Sequence, residues 1–384
     1  MQAKLLKLLG IEYAMIFTSV IGLVGLGMLM VLSASSVSSI QQYGTAYGTF
    51  LRQFLFILIG LALAYLSIRI SFEKWEVLAR LSLIFGIISL IATLALGRDI
   101  NGNKNWIPIG PFTIQPSEFA KLALILFCAY RLKRATNSSV DGFFNPVYVV
   151  LPAASIFIGL ILGGKDMGTA LIFVGITFSL LIISGLKPIY TLGTFGAAVL
   201  GIAALVITQP NRMKRFKALW DPFAPDVYKF AGWQPAHSMM GLASGGVFGV
   251  GIGESKQKWA NLAEAHTDFI FSVIGEEMGL IGTIIVIFLY LVLLLAIFRT
   301  ALKCKDLFQK YAVAGIGFWL IFQIFTNIAT NIGIAPVIGV TLPFISYGGS
   351  AIIADLIAVG FVLKIALEQG GVSKISKVQR RIAS

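Results

Sequence analysis

Charge is scarce in this chain. Asp, Glu, Lys and Arg make up 12% of its 384 residues, about half the usual share of a soluble domain at about 25%. That scarcity, with 57% hydrophobic residues and a mean hydropathy of +0.88, excludes an ordinary soluble globule. Cysteine is nearly absent: Cys128 falls in an apolar run and Cys304 in a basic loop, so no disulfide framework exists. The two histidines, His237 and His266, are too few for a histidine-built metal centre, and no Cys/His spacing suggests zinc. No Gly-Lys-Ser/Thr follows the glycines, which removes a nucleotide phosphate loop. No cleavage pattern follows the first apolar run, which is long enough to remain as an anchor.

What is present is a rhythm of apolar segments of membrane-crossing length. Ten are read near 13–32, 50–68, 78–97, 118–132, 146–164, 168–186, 190–208, 272–298, 311–331 and 350–367. The fourth is short, and the ninth carries Asn327. The fold class expected is an all-α, polytopic membrane bundle: one domain over 1–371 with a basic tail at 372–384. Lys and Arg concentrate in alternate loops, at Arg69, Lys74, Arg131, Lys133, Arg134, Lys187, Arg299 and Lys303, whereas 33–49 and 333–349 carry no charge. The positive-inside rule then puts both termini in the cytoplasm. The net charge of +13 is mostly this bias, suited to anionic membrane lipids, and no nucleic-acid motif accompanies it. No internal repeat is visible.

Three outer segments break the rhythm with Gly, Pro and polar residues: 98–118, 209–266 and 333–350. Irregular backbone at membrane depth survives only where protein buries it or it lines a cavity. By topology all three lie on one face and can converge on one site. In the first, Ser117 suits a helix N-cap, with Glu118 and Lys121 three apart on one helix face. Either they form an intrahelical ion pair or Lys121 meets a phosphate with Glu118 orienting it. Arg52 at the outer end of the second span is a snorkelling arginine or a cavity cation. Lys165-Asp166 reads as an outer turn with a local ion pair.

The long loop 209–266 opens with Arg212-Met213-Lys214-Arg215-Phe216-Lys217, charge interleaved with apolar residues as in an interfacial helix. From Gly241 to Lys258 it is glycine-rich, and such backbone is either a solvated loop or a cradle for phosphate oxygens. It ends in Glu264-Ala265-His266-Thr267-Asp268, where a carboxylate meets the next apolar run. An ionisable group at that boundary is a functional-site hypothesis; its structural alternatives are a helix N-cap or a partner for a loop lysine. The segment around Ser346 is too broken for a helix and too apolar for a solvated loop, which suggests a packed re-entrant plug.

Gln115-Pro-Ser-Glu-Phe-Ala-Lys121, Gly253-Glu-Ser-Lys-Gln-Lys258, Glu264-Ala-His-Thr-Asp-Phe-Ile-Phe271 and Leu342-Pro-Phe-Ile-Ser-Tyr-Gly-Gly-Ser350 occur in this order. With them the chain resembles the SEDS family of bacterial cell-wall proteins, from the first span to about residue 367, and its division branch more than its elongation branch. It departs from the family's usual residues at Asn105, Lys165, His237, Ala260 and Ala263. The resemblance implies a peptidoglycan glycosyltransferase polymerising lipid II from an undecaprenyl-diphosphate-linked donor. It implies Asp268 as the essential carboxylate, and Arg52, Glu118 and Lys121 as cavity residues.

On chemical grounds Arg52, Lys121, Arg212, Arg215 and Lys258 are candidates to bind the diphosphate, and Glu264 to orient the base. His266 and Ser346 complete the candidate substrate contacts. A divalent cation, Mg or Mn, could share the diphosphate. The resemblance also implies a class B penicillin-binding protein and other divisome membrane proteins as partners, at the bacterial cytoplasmic membrane. A lipid II flippase and a non-catalytic scaffold are the rival readings.

Overall fold

The computed structural model describes residues 10–100, 103–138, 146–207, 210–259 and 261–370. Among them helices dominate: Ile11–Tyr43 (α1), Gly48–Arg69 (α2), Phe72–Leu96 (α3), Pro116–Ser138 (α4), Val147–Gly163 (α5), Met167–Ile183 (α6) and Pro188–Ile207 (α7). After these come Pro210–Trp220 (α8), Trp233–Gly245 (α9), Ile270–Lys303 (α10), Leu307–Asn331 (α11) and Gly349–Gln369 (α12). The ten expected spans correspond to α1–α7 and α10–α12. The expected tail 372–384 lies outside the described residues.

Six helices, α1, α2, α3, α10, α11 and α12, are long and apolar enough to cross a bilayer. Helices α5, α6 and α7 are shorter apolar rods. The fourth span looks short because α4 ends in Arg131, Lys133 and Arg134, yet its first two thirds are among the most enclosed parts of the molecule. Leu124, Ile125, Cys128 and Ala129 there are fully buried, against α3, α5, α11 and α12. The outward faces are apolar instead: Leu58, Phe85, Ile88, Phe288 and Leu295 are all exposed. A bundle apolar on the outside has lipid for its solvent. This is a membrane protein.

Its helices alternate in direction, so their connections segregate to two ends. At one end ion pairs tie neighbours: Lys303 to Glu12 at 2.6 Å, and Lys133 to both Glu76 at 2.5 Å and Asp306 at 2.7 Å. The opposite end gathers the described residues of 98–118, 210–269 and 333–348. Of these, 98–118 is not irregular. Arg98–Ile100 (β1), Asn103–Ile109 (β2) and Phe112–Ile114 (β3) form an antiparallel sheet in the order β1-β2-β3. A two-residue turn, Gly110-Pro111, joins β2 to β3, with Ile107 opposite Ile114 and Ile109 opposite Phe112. The hairpin docks through the Lys104 amide on Gly164 C=O and the Gln115 amide on the Ser350 hydroxyl.

The glycine-rich stretch also differs from expectation. Gly241 and Gly245 belong to α9, and only 246–258 is a loop. That loop lies along α10, which kinks at Gly279 (φ 66°). Val250 and Gly251 donate to the carbonyls of Glu276 and Glu277, and Leu280 donates to Gly246. The Glu276 carboxylate takes the Ser255 hydroxyl and the Lys256 amide, while Glu277 takes the Ser33 hydroxyl at 2.6 Å. The loop's backbone polarity is spent inside the protein, which leaves Phe248 free to face outward.

Candidate active site

Asp268 stands two residues before α10, whose N-cap position is Phe269. Two amides on α11 hold its backbone. Asn327 Nδ2 donates to the Asp268 carbonyl at 2.8 Å and to Val340 C=O at 2.7 Å; Asn331 Nδ2 reaches the same Asp268 carbonyl at 2.9 Å. Asn331 Oδ1 in turn accepts the Ser272 amide at 3.1 Å and its hydroxyl at 2.7 Å. The first turn of α10 is therefore capped from α11. The Asp268 carboxylate is left with no hydrogen-bonded protein donor among the described residues.

From the other side the plug closes in. Ser346 Oγ donates to Thr267 C=O at 2.6 Å, and the Tyr347 amide donates to His266 C=O at 2.9 Å. Gly339 is in the left-handed region (φ 71°), where a Cβ would stand 3.4 Å from Asp268 Oδ2. Gln53 on α2 bonds both Ser346 C=O and the Gly348 amide, fixing the far end of the plug.

The electrostatics follow from this enclosure. Burial, then the negative charges of Glu264 and Asp166, push the Asp268 carboxyl up to about 7, with Arg215 acting against them. Asp166, near the same centre, is itself raised by burial although it accepts from the Thr169 amide and hydroxyl. Burial holds the His266 imidazole below its ordinary value against the opposing charge of Glu264. A carboxyl raised towards neutrality, and with no donor bound to it among the described residues, is suited to take a proton from a hydroxyl.

A model of the FtsW/RodA/SpoVE cell cycle proteins matches residues 13–370. The chain belongs to that family. It is 38% identical to the probable peptidoglycan glycosyltransferase FtsW of Tolumonas auensis over 90% of each chain. The FtsW of Coxiella burnetii is 36% identical over 92% of this chain and 96% of its own. Among solved structures, a component of a peptidoglycan synthase complex that coordinates polymerization and crosslinking superposes with a TM-score of 0.75 at 28% identity, covering 92% of this chain and 97% of that one. The rod shape determining protein RodA of Thermus thermophilus gives 0.69 at 28% identity, over 93% and 97%.

Within this FtsW/RodA/SpoVE chain the expected site residues divide into three groups. Beside Asp268 stand Glu264, His266 and Arg215. Glu264 is exposed, with a left-handed backbone (φ 58°), and accepts from the Thr267 hydroxyl at 2.9 Å. It acts on Asp268 through its charge and does not orient it by contact. Arg215 is exposed and latches α8 to the plug through Val337 C=O at 3.0 Å. The expected interfacial helix is α8, but the Arg212 side chain lies outside the described residues.

Arg52 is half-buried over the Tyr43 ring at 4.5 Å, donates to Pro111 C=O at 3.3 Å and reaches the Tyr347 hydroxyl. Its guanidinium is held by these protein groups instead of snorkelling to lipid. Deeper in the bundle, Lys121 pairs with Glu118 at 2.7 Å and bonds Gln323 Oε1 at 3.0 Å, with Trp319 donating to the same oxygen. Both members of the ion pair are buried.

Four expectations change. Lys258 does not face outward: it is buried on Glu277 at 3.4 Å and on Gly253 C=O, so its charge is already matched. The Ser346 hydroxyl is spent on Thr267 C=O and on the Leu342 amide at 2.8 Å, which makes it a brace for the loop. Ser117 is not the N-cap, because Pro116 opens α4 and the Ser117 hydroxyl is buried without a partner. Asp166 makes no ion pair with Lys165; it caps α6.

Sequence reading passed over Gln323 and Asn331. With Asn327 they form an i, i+4, i+8 stripe of amides in an apolar helix, and that spacing was the available signal. Among the described residues no group of three or more His, Cys, Asp or Glu could hold a metal ion. A Mg or Mn ion here would draw most of its ligands from substrate oxygens and water.

Proposed function

We propose that this chain is a peptidoglycan glycosyltransferase that polymerises lipid II on the outer face of the bacterial cytoplasmic membrane, with Asp268 as general base. The observation that carries this reading is the Asp268 carboxyl, without a donor among the described residues and raised to about 7 where the 261–269 loop meets the plug. The 4-hydroxyl of the acceptor sugar gives its proton to Asp268 as its oxygen attacks the anomeric carbon of the donor. The bond from that carbon to the undecaprenyl diphosphate breaks, the diphosphate leaves with the electron pair, and the α-linked donor becomes a β-linked product. One base suffices, because diphosphate leaves without protonation; such a base contributes roughly 10²–10⁴-fold. Exposed Arg215 and half-buried Arg52 are the cations proposed to meet the departing charge.

Both termini are assigned to the cytoplasm, since the Lys303, Lys133 and Lys364 end carries the basic loops. Relatives carrying the division name support a role in septal wall synthesis. The synthase complex that matches in structure couples polymerization to crosslinking. A class B penicillin-binding protein is accordingly the partner proposed here, with other divisome membrane proteins around it.

The test is direct. Wild type and Asp268→Asn, each purified with the cognate penicillin-binding protein, are incubated with lipid II, and the products are read as glycan ladders. Ladders from wild type alone are expected. Equal ladders from both remove Asp268 as base, and none from either folded, lipid-bound complex turns the reading to a flippase or a scaffold.

A further inference from the structure

The mechanism leaves one acid unused. Asp355 lies in the second turn of α12 and is 1% exposed, among fully buried neighbours such as Ala354 and Ala358. Neither of its carboxyl oxygens has a hydrogen bond of ordinary geometry among the described residues. An acid in such a place is costly, and packing alone would be served by an apolar side chain.

The backbone amide that faces this carboxyl is that of Phe344, at the tip of the plug. Phe344 sits in the left-handed region at φ 66°. A bulky residue holds that conformation only where its surroundings impose it. The tip is gripped on two further sides. Tyr290 of α10 donates its hydroxyl to Pro343 C=O at 2.5 Å. Gly27 of α1 lies so close that a Cβ there would stand 2.7 Å from Phe344 O and from Ile345 Cα. Asp355 supplies the third side.

The tip is joined to the reactive carboxylate by a short chain of bonds. Leu342 C=O accepts the Ile345 and Ser346 amides at 3.2 and 3.0 Å, and the Leu342 amide returns to Ser346 Oγ. That same oxygen donates to Thr267 C=O, one residue from Asp268. We propose that Asp355 is a positioning residue for the Asp268 site, seating the strained Phe344 backbone so that Ser346 holds Thr267 and Asp268 in place.

Other charged groups face Asp355 from α4, namely Lys121 and Glu118, and Lys121 already has Glu118 and Gln323 as partners. Two roles are thereby separable. If the carboxyl acts as an acceptor to the Phe344 amide, an uncharged acceptor of the same shape replaces it. If it acts as a second counter-charge to Lys121, an uncharged replacement fails.

This inference rests on the glycosyltransferase reading. The experiment compares wild type, Asp355→Asn, Asp355→Leu and Asp268→Asn in the complex with the penicillin-binding protein. It measures kcat and KM for lipid II, melting temperature, and amide exchange over 266–268 and 342–346. Asp355→Leu is expected to lose about tenfold or more in kcat, since an ångström of misplacement costs up to about 10²-fold. Its KM should stay within about twofold and its melting temperature should not fall, since a buried acid has gone. Faster exchange confined to the two segments should accompany the loss, and Asp355→Asn should restore both. Wild-type kcat and exchange in Asp355→Leu overturn the proposal. So does a loss that Asn fails to rescue, or one that tracks a lower melting temperature. If wild type is no better than Asp268→Asn, the glycosyltransferase reading has failed, and exchange at 266–268 still decides whether Asp355 seats the loop.

Discussion

Asn331 donates its side-chain amide to the backbone carbonyl of Asp268 across 2.9 Å while its own oxygen accepts the Ser272 amide at 3.1 Å. One residue of α11 thus performs the capping that an aspartate at a helix start would ordinarily provide. A capping carboxylate is held below its ordinary range by the N–H groups it accepts. Asp268 is displaced the other way: burial, then the charges of Glu264 and Asp166, raise it, and no capping bond offsets them.

Replacing Asn331 with Ala takes one of two donors from the Asp268 carbonyl, which keeps Asn327, and an acceptor from Ser272, whose amide keeps Phe269 C=O and whose hydroxyl keeps Ser238. Hydrogen bonds lost in this way cost about 0.5–1.5 kcal/mol each. The variant is expected to melt earlier and to lose tenfold or more in turnover, with its lipid II affinity little changed. A melting curve beside a kcat and KM measurement checks this, and unchanged turnover would show that the Asp268 backbone needs no such clamp.

The pH dependence has a definite sign. A base must be ionised, so kcat should fall about tenfold per pH unit below the Asp268 value of about 7 and level off above it. Glu264 raises that value and Arg215 lowers it. Glu264→Gln should therefore move the acid limb to lower pH, and Arg215→Gln should move it to higher pH. Rate profiles from pH 5 to 9 would test both; shifts in the same direction for the two variants would refute the charge arrangement.

Much of this was legible in the chain itself. The spans, the interfacial α8 and the convergence of three broken segments follow from apolar length and from the cost of irregular backbone in lipid. What escaped depended on tertiary partners. The strands at 98–114 are short and one contains Pro108, so their pairing is set by docking on Gly164 and Ser350. Residues Trp233 to Gly245 carry helix-poor glycines, yet fold as α9 because they pack along α10. Lys258 reads as a surface cation until Glu277 and Ser33, distant in sequence, are brought beside it.

Gly339 offers a sharper steric test. Its φ of 71° disfavours any side chain, and a Cβ would come into van der Waals contact with Asp268 Oδ2 at 3.4 Å. Gly339→Ala should cost about 1–2 kcal/mol in backbone strain. It should also lower turnover by more than that cost explains. Comparing it with Gly333→Ala, a second left-handed position whose Cβ meets Met239 instead, separates the two effects. Equal turnover losses in both variants would mean that strain alone is at work.

The Lys121–Glu118 pair poses the last question, because a buried ion pair can serve folding, chemistry or both. At 2.7 Å, with Gln323 and Trp319 closing the cluster, the pair links α4 to α11 and, through Gln323 and Thr341, to the plug. Lys121→Met leaves Glu118 buried without its cation, a change that typically costs about 3–5 kcal/mol. The double variant Glu118→Gln/Lys121→Met removes both charges and should recover most of that stability. If Lys121 also meets the diphosphate, the recovered fold will still polymerise poorly, with a raised KM for lipid II. If the pair is only structural, activity returns with the melting temperature. The glycosyltransferase reading expects the first result: of the other candidate cations, Arg215 is exposed and Arg52 half-buried, and a cation open to water is screened where a buried one is not. Recovery of full turnover in the double variant would confine Lys121 to holding the bundle together.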